Sequence, residues 1–317
     1  MLYLHNLTMK EKIKSILEAV LIDKWVLISS ILIFVLLFNY LFSIELKITP
    51  NFKLREKLNP SSVSAAKPNQ VIQQNVLTTE VKLPIKWGDF GKQLIEKGVI
   101  DKAKFENIMG TLPDTDRKLL ESSENNELVM NQQNSRLILN LLWAFGLGNK
   151  NDVLDKGEMV KDPKQTGNMA STGGWDVSVG DPMNHYSKHT MLLLTADQQN
   201  MVEEMSKNIY RPCCNNSTHF PDCNHGMAML GLLELMAANG VSREEAYRVA
   251  LNVNAMWFPR EYQELATFFA ENGITWVKVD PKLVLSSKYS SASGYKQTRT
   301  LIKSLPQPTQ GGGGCGL

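Results

Sequence analysis

The sequence predicts a mainly α protein: a single N-terminal transmembrane helix, a flexible stalk, then one compact α-helical domain with little or no sheet. Three observations carry this expectation. From Trp25 to Ile44 the chain reads WVLISSILIFVLLFNYLFSI, without a charge. The following stretch, 46–82, is rich in proline, serine, asparagine and glutamine and shows little periodicity. Beyond it, apolar residues recur at helical spacing between capping residues and glycines, from Asp89 to Gly273.

The apolar run has about the twenty residues that a helix needs to cross roughly 30 Å of hydrocarbon. Trp25 and Tyr40 suit the two interfaces, and Lys24 and Lys47 bracket the span. No small-residue cleavage site follows directly, so the segment 24–45 reads as a signal anchor rather than a cleaved peptide. Upstream, Ile13, Ile16, Leu17, Val20 and Leu21 fall on one helical face, which makes 1–23 an amphipathic segment at the membrane surface. Lys10, Lys12, Lys14 and Lys24 are nearly balanced by Lys47, Lys53, Arg55 and Lys57, so charge alone leaves orientation open. The short N-terminal tail favours a single-pass protein with its C-terminal domain extracytoplasmic.

The helical domain is expected over 83–304. Asp89 and Asp101 open two short helices ending at Gly98 and Met109, and Leu137 to Phe145 forms a buried helix stopped by Gly146 and Gly148. The glycine-rich stretch 149–180 lacks the pattern of a phosphate-binding loop and reads as an ordinary loop with Trp175 packed inward. Asp181 followed by Pro182 starts a helix carrying His185 and His189. Thr195 with Gln198 caps a helix to about Tyr210, and another runs from His225 to Asn239. Ser242 with Glu245 caps the next, a further helix spans 260–272, and weak strand-like alternation marks Thr275 to Val279. The tail 305–317 ends in four glycines and Cys315, which stands third from the terminus and so makes no prenylation box.

Composition narrows the function. With 34 basic and 32 acidic residues, the chain lacks the excess positive charge of a nucleic-acid binder. Four cysteines are too few for a disulfide scaffold. They are not scattered, however. Cys213, Cys214 and Cys223 lie in one short stretch, and four of the five histidines, His185, His189, His219 and His225, fall between residues 185 and 225.

Imidazole and thiolate together suit a transition-metal ion, with zinc or copper the expected cofactor. Four residues apart on a helix, His185 and His189 would project from one face. Cys223 and His225 stand at the start of the apolar helix 225–239, where unpaired backbone donors favour a thiolate. Metal ligation is therefore expected from Cys213, Cys214, Cys223, His225, His185, His189 and His219, with the metal handled or used at the membrane surface. The spacing is neither CxxC nor CxxCH, so covalent c-type haem is not expected.

Two alternatives stay open. A membrane-tethered thiol–disulfide oxidoreductase could use Cys223 with Cys213, Cys214 or the mobile Cys315. A tethered interaction domain could carry an inert core cluster. A metal-donor or redox partner protein would accompany the first two readings. Ten of the 14 methionines fall between Met159 and Met256, but Met227, Met229 and Met236 lie in a helix apolar enough to make core packing their first role. Glu234, the lone charge in that helix, is expected to be buried.

Overall fold

A computed structural model describes residues 78–124 and 127–305. The amphipathic segment, the anchor from Trp25 to Ile44, most of the stalk and the tail with Cys315 lie outside the described residues. Among the described residues no helix is long and apolar enough to cross a membrane. Their structure is mainly α, 57% helix against 6% strand.

The strand content is one antiparallel pair, β1 (Glu80–Lys86) with β2 (Glu127–Asn131), in register from Glu80 opposite Asn131 to Leu83 opposite Leu128. Val81, Leu83 and Ile85 alternate inward on β1, and the pairing breaks between Leu83 and Lys86, around Pro84. Proline lacks the N–H that a continued ladder needs. Strand β1 thus lies partly inside the stretch read from sequence as stalk.

Three short helices follow: α1 (Phe90–Glu96), α2 (Lys102–Met109) and α3 (Asp114–Glu121). Asp101 caps α2 by accepting from the Lys104 N–H, as expected. Asp89 makes no such bond, since its carboxylate accepts from the Gln93 side chain instead. After β2 comes α4 (Ser135–Gly148), longer than predicted. It runs through Gly146, which serves a helix contact described below, and ends at Gly148. The glycine-rich region holds α5 (Asp152–Lys156) and α6 (Pro163–Gly167), and Trp175 is buried with its Nε1–H on the Val99 carbonyl at 2.7 Å.

The second half contains α7 (Ala196–Asn208), α8 (Asn224–Ala238), α9 (Arg243–Trp257) and α10 (Pro259–Glu271), followed by α11 (Pro281–Leu285), α12 (Ser287–Ser290) and α13 (Ala292–Arg299). Both halves of the Thr195–Gln198 capping box form, and Ser242 accepts from the Glu245 N–H. Residues predicted as a weak strand near Thr275 instead make a 3-10 turn, Trp276–Lys278.

The core is organised on α8, whose residues from Gly226 to Ala237 are all buried. Its most extensive helix partner is α4. The two backbones approach so closely that a Cβ on Gly146 would stand 2.3 Å from the Met227 carbonyl oxygen, and one on Gly231 would stand 2.6 Å from that of Leu142. Only hydrogen side chains allow this approach.

The helix expected from Asp181 does not form. Asp181 caps only a 3-10 turn, Pro182–Asn184, and Ser187 then adopts a left-handed φ of 49° that no helix continues through. His185 and His189 therefore sit on an irregular segment, docked against the C-terminal end of α4. There the N–H groups of Ser187 and His189 occupy the Leu147 and Gly148 carbonyls.

Candidate functional site

The thiols are gathered by the loop between α7 and α8, and the residue that organises it is Arg211. Its side chain is 1% exposed, and the guanidinium forks in three directions. Nε donates to Cys223 Sγ at 2.9 Å, Nη1 to the Asn216 carbonyl at 3.0 Å, and Nη2 to Asp222 Oδ1 at 2.7 Å. The second Asp222 oxygen accepts from Asn216 Nδ2 at 2.8 Å. Planar, multi-donor geometry of this kind is specific to arginine. Farther out, Ile209 closes the loop by accepting from both the N–H and the hydroxyl of Thr218.

Cys223 is the N-cap of α8, where its sulfur also accepts from the Gly226 N–H at 3.4 Å. Cys213 Sγ lies 3.5 Å from Cys223 Sγ. The ligand atoms of Cys213, Cys223 and His225 all fall within 4.8 Å of one another, and so do those of Cys214, Asp222 and Cys223. The His225 ring packs against Phe258 and Trp257, with centroids 4.5 and 5.5 Å away.

This surrounding sorts the three thiols. Hydrogen bonds from Cys213 and Cys214 hold the Cys223 thiol well below its ordinary pKa, helped by the Arg211 charge and a bond from His225, against the opposing effect of burial. Cys213 is pushed up because its proton is engaged with Cys214 and Cys223 and the group is buried. For Cys214, a bond from Cys213 pulls down, but donation to Cys223 and burial outweigh it, and the thiol is pushed up to about 12. The surroundings thus favour ionisation at Cys223 over its two neighbours.

The other predicted ligands are placed elsewhere. His219 pairs with Glu203 of α7 at 2.9 Å. His185 and His189 contact each other, Nδ1 to Nε2 at 3.0 Å, while His185 Nε2 faces the Val179 carbonyl at 3.0 Å. Burial and the neighbouring His185 push the His189 pKa down. Neither of the two candidate ligand groups among the described residues includes these three histidines.

Glu234 is fully buried in α8, as expected, and its partner is an asparagine rather than a histidine. Its Oε2 accepts from Asn149 Nδ2 at 2.6 Å, and burial pushes its pKa up to about 8 against that bond.

Arg211, Asn216 and Asp222 escaped the sequence reading. Their only signal was adjacency to the cysteines, since a single buried arginine leaves no periodic trace. No protein-family profile matches this sequence, and neither a curated protein nor a solved structure matches it.

Proposed function

We propose that the loop 211–226 is a transition-metal centre in which Cys213, Cys214, Cys223 and His225 hold one zinc-class ion. The carrying observation is the convergence of Cys213, Cys223 and His225 ligand atoms within 4.8 Å, with Cys214 on the same central sulfur. A tetrahedral ion with bonds of about 2.3 Å to sulfur needs sulfurs about 3.8 Å apart. The 3.5 Å between Cys213 and Cys223 is close to that spacing. Asp222 is excluded from the ligand set because Arg211 and Asn216 already engage both of its oxygens.

Charge favours zinc over monovalent copper. Three thiolates and a neutral imidazole around a divalent ion carry one excess negative charge, and the buried Arg211 cation lies against it. Around a monovalent ion the excess would be two. Arg211 would then act as the outer partner that orients a metal-bound sulfur. In the full chain this centre would be carried by a domain tethered through the helix from Trp25 to Ile44, extracytoplasmic, and would handle or use its metal at the membrane surface.

Elemental analysis of the reduced full chain tests the reading. About one equivalent of zinc, lost on Cys223→Ser, is expected; no bound metal overturns it. The 3.5 Å sulfur contact also favours a second reading, a dithiol of Cys213 and Cys223 that passes two electrons and two protons to a disulfide acceptor. That reading predicts a chain without metal whose free thiols fall by two on oxidation.

A further inference from the structure

The two histidines that do not join the thiols form a contact of their own. Gly148, at the end of α4, accepts the His189 N–H on its carbonyl, and the next residue, Asn149, bonds Glu234. That level of α8 is eleven residues from Cys223, roughly 16 Å along the helix at 1.5 Å per residue. The histidine pair and the thiol loop are thus separate places.

The pair is oriented as metal-binding imidazoles are. In a neutral ring, the Val179 carbonyl can only accept, so His185 Nε2 carries the hydrogen and Nδ1 presents a bare lone pair. Anchoring of the remote ring nitrogen on a carbonyl is the usual arrangement of a ligating histidine. That lone pair faces His189 Nε2 at 3.0 Å. Ser187, between them, is 5% exposed and keeps its left-handed backbone, with its Oγ accepting from the Asn151 N–H. A non-glycine residue in that region costs on the order of 1–3 kcal/mol and persists only where surroundings impose it.

We infer that His185 and His189 form a second metal site, distinct from the thiol centre, for a divalent imidazole-preferring ion such as zinc. Tetrahedral ligation at about 2.05 Å needs ring nitrogens about 3.3 Å apart. The present gap opens to that value by a small rotation of the half-buried His189 ring. The hydrogen on His189 Nε2 moves to Nδ1 as the ion enters, so both rings stay neutral and no proton is released. Two coordination positions remain for water or an oxygen or nitrogen ligand. With two protein ligands rather than four, this site fills after the thiol centre.

Cobalt(II) titration of the reduced full chain in detergent tests the inference. Two equivalents should bind in sequence. The first should bring a thiolate-to-cobalt charge-transfer band, and the second only ligand-field bands and a sulfur-free shell by X-ray absorption. His189→Gln, whose amide can still donate to His185 Nδ1, should abolish the second equivalent and leave the charge-transfer band intact, which also reports an intact fold. Cys223→Ser should do the reverse. If the thiol-centre reading fails, the charge-transfer band is missing while the His189-dependent equivalent remains. Saturation of the native chain at one sulfur-bound equivalent, or a second equivalent that survives His189→Gln, overturns the site.

Discussion

A Cβ on residue 226 would stand 2.4 Å from a terminal guanidinium nitrogen of Arg211. The glycine two residues into α8 is therefore the space in which the arginine lies, and the arginine in turn holds Cys223 and Asp222. Gly226→Ala should displace the guanidinium and destabilise the domain by about 1–3 kcal/mol, the usual cost of forcing a methyl group into a packed site. Denaturant unfolding of the native and variant chains measures it. The variant should also lose metal affinity, because the loop loses its organiser.

Arg211→Met removes the charge while keeping much of the volume. It leaves the Asp222 carboxylate without its 2.7 Å partner and Cys223 without its 2.9 Å donor. A loss of about 3 kcal/mol is expected, in the range for breaking a largely buried ion pair. Arg211→Lys should recover little of it, since an ammonium cannot reproduce the three-way fork. Thermal unfolding of the two variants side by side checks the order.

Glu234 gives the domain a pH dependence of definite sign. Burial raises its folded pKa to about 8, so the fold favours the protonated acid. Its contribution is fully present below the ordinary carboxyl range and is lost as pH rises toward 8, by at most about 1.4 kcal/mol per pH unit. Glu234→Gln is neutral throughout. It should unfold like the native chain near pH 4.5 and be more stable above pH 8. Equal stabilities at pH 9 would show that the carboxyl is not held neutral.

Gly231→Ala tests the contact between α4 and α8. The added methyl would meet the Leu142 carbonyl oxygen at 2.6 Å and the Gly146 backbone at 2.9 Å, neither of which belongs to a flexible side chain. A destabilisation of about 1–3 kcal/mol is expected by calorimetry. The same change at Gly240, which has nothing near but carries a φ of 71°, acts through backbone strain alone and serves as the comparison.

The helical character of the domain was legible because its signals are local. Asp101, Thr195 and Ser242 each cap the helix their spacing predicts, and α8 ends one residue from its predicted limit. The sheet was not, because its strands are forty residues apart and Pro84, a residue that sits poorly in a ladder, falls within the short alternation of Val81, Leu83 and Ile85. The histidine pair was expected on one face of a helix, and the rings do come together, but that helix does not form. Ser187 turns the chain, and the rings meet across an irregular bend rather than on adjacent turns of a helix. At the thiol loop, residue types pointed to the stretch in which Cys213, Cys223 and His225 converge. They could not reveal that Arg211 would claim Asp222 and leave His225, rather than His185 and His189, beside Cys223.

The backbone contact of α4 with α8 has a mechanical consequence. With Gly146 and Gly231 meshed against opposing carbonyls, α8 is a fixed strut: it cannot act as a piston that carries news of an event at Cys223 along its axis. The outward ties of the thiol loop lead elsewhere. The Cys214 carbonyl accepts from the Ala292 N–H at 2.8 Å, and Asn215 Oδ1 from the Ser293 N–H at 2.9 Å. A change of state among the thiols is thus geared to the first turn of α13. Amide hydrogen exchange there, rather than in α4, is where loading or oxidation of the loop should register.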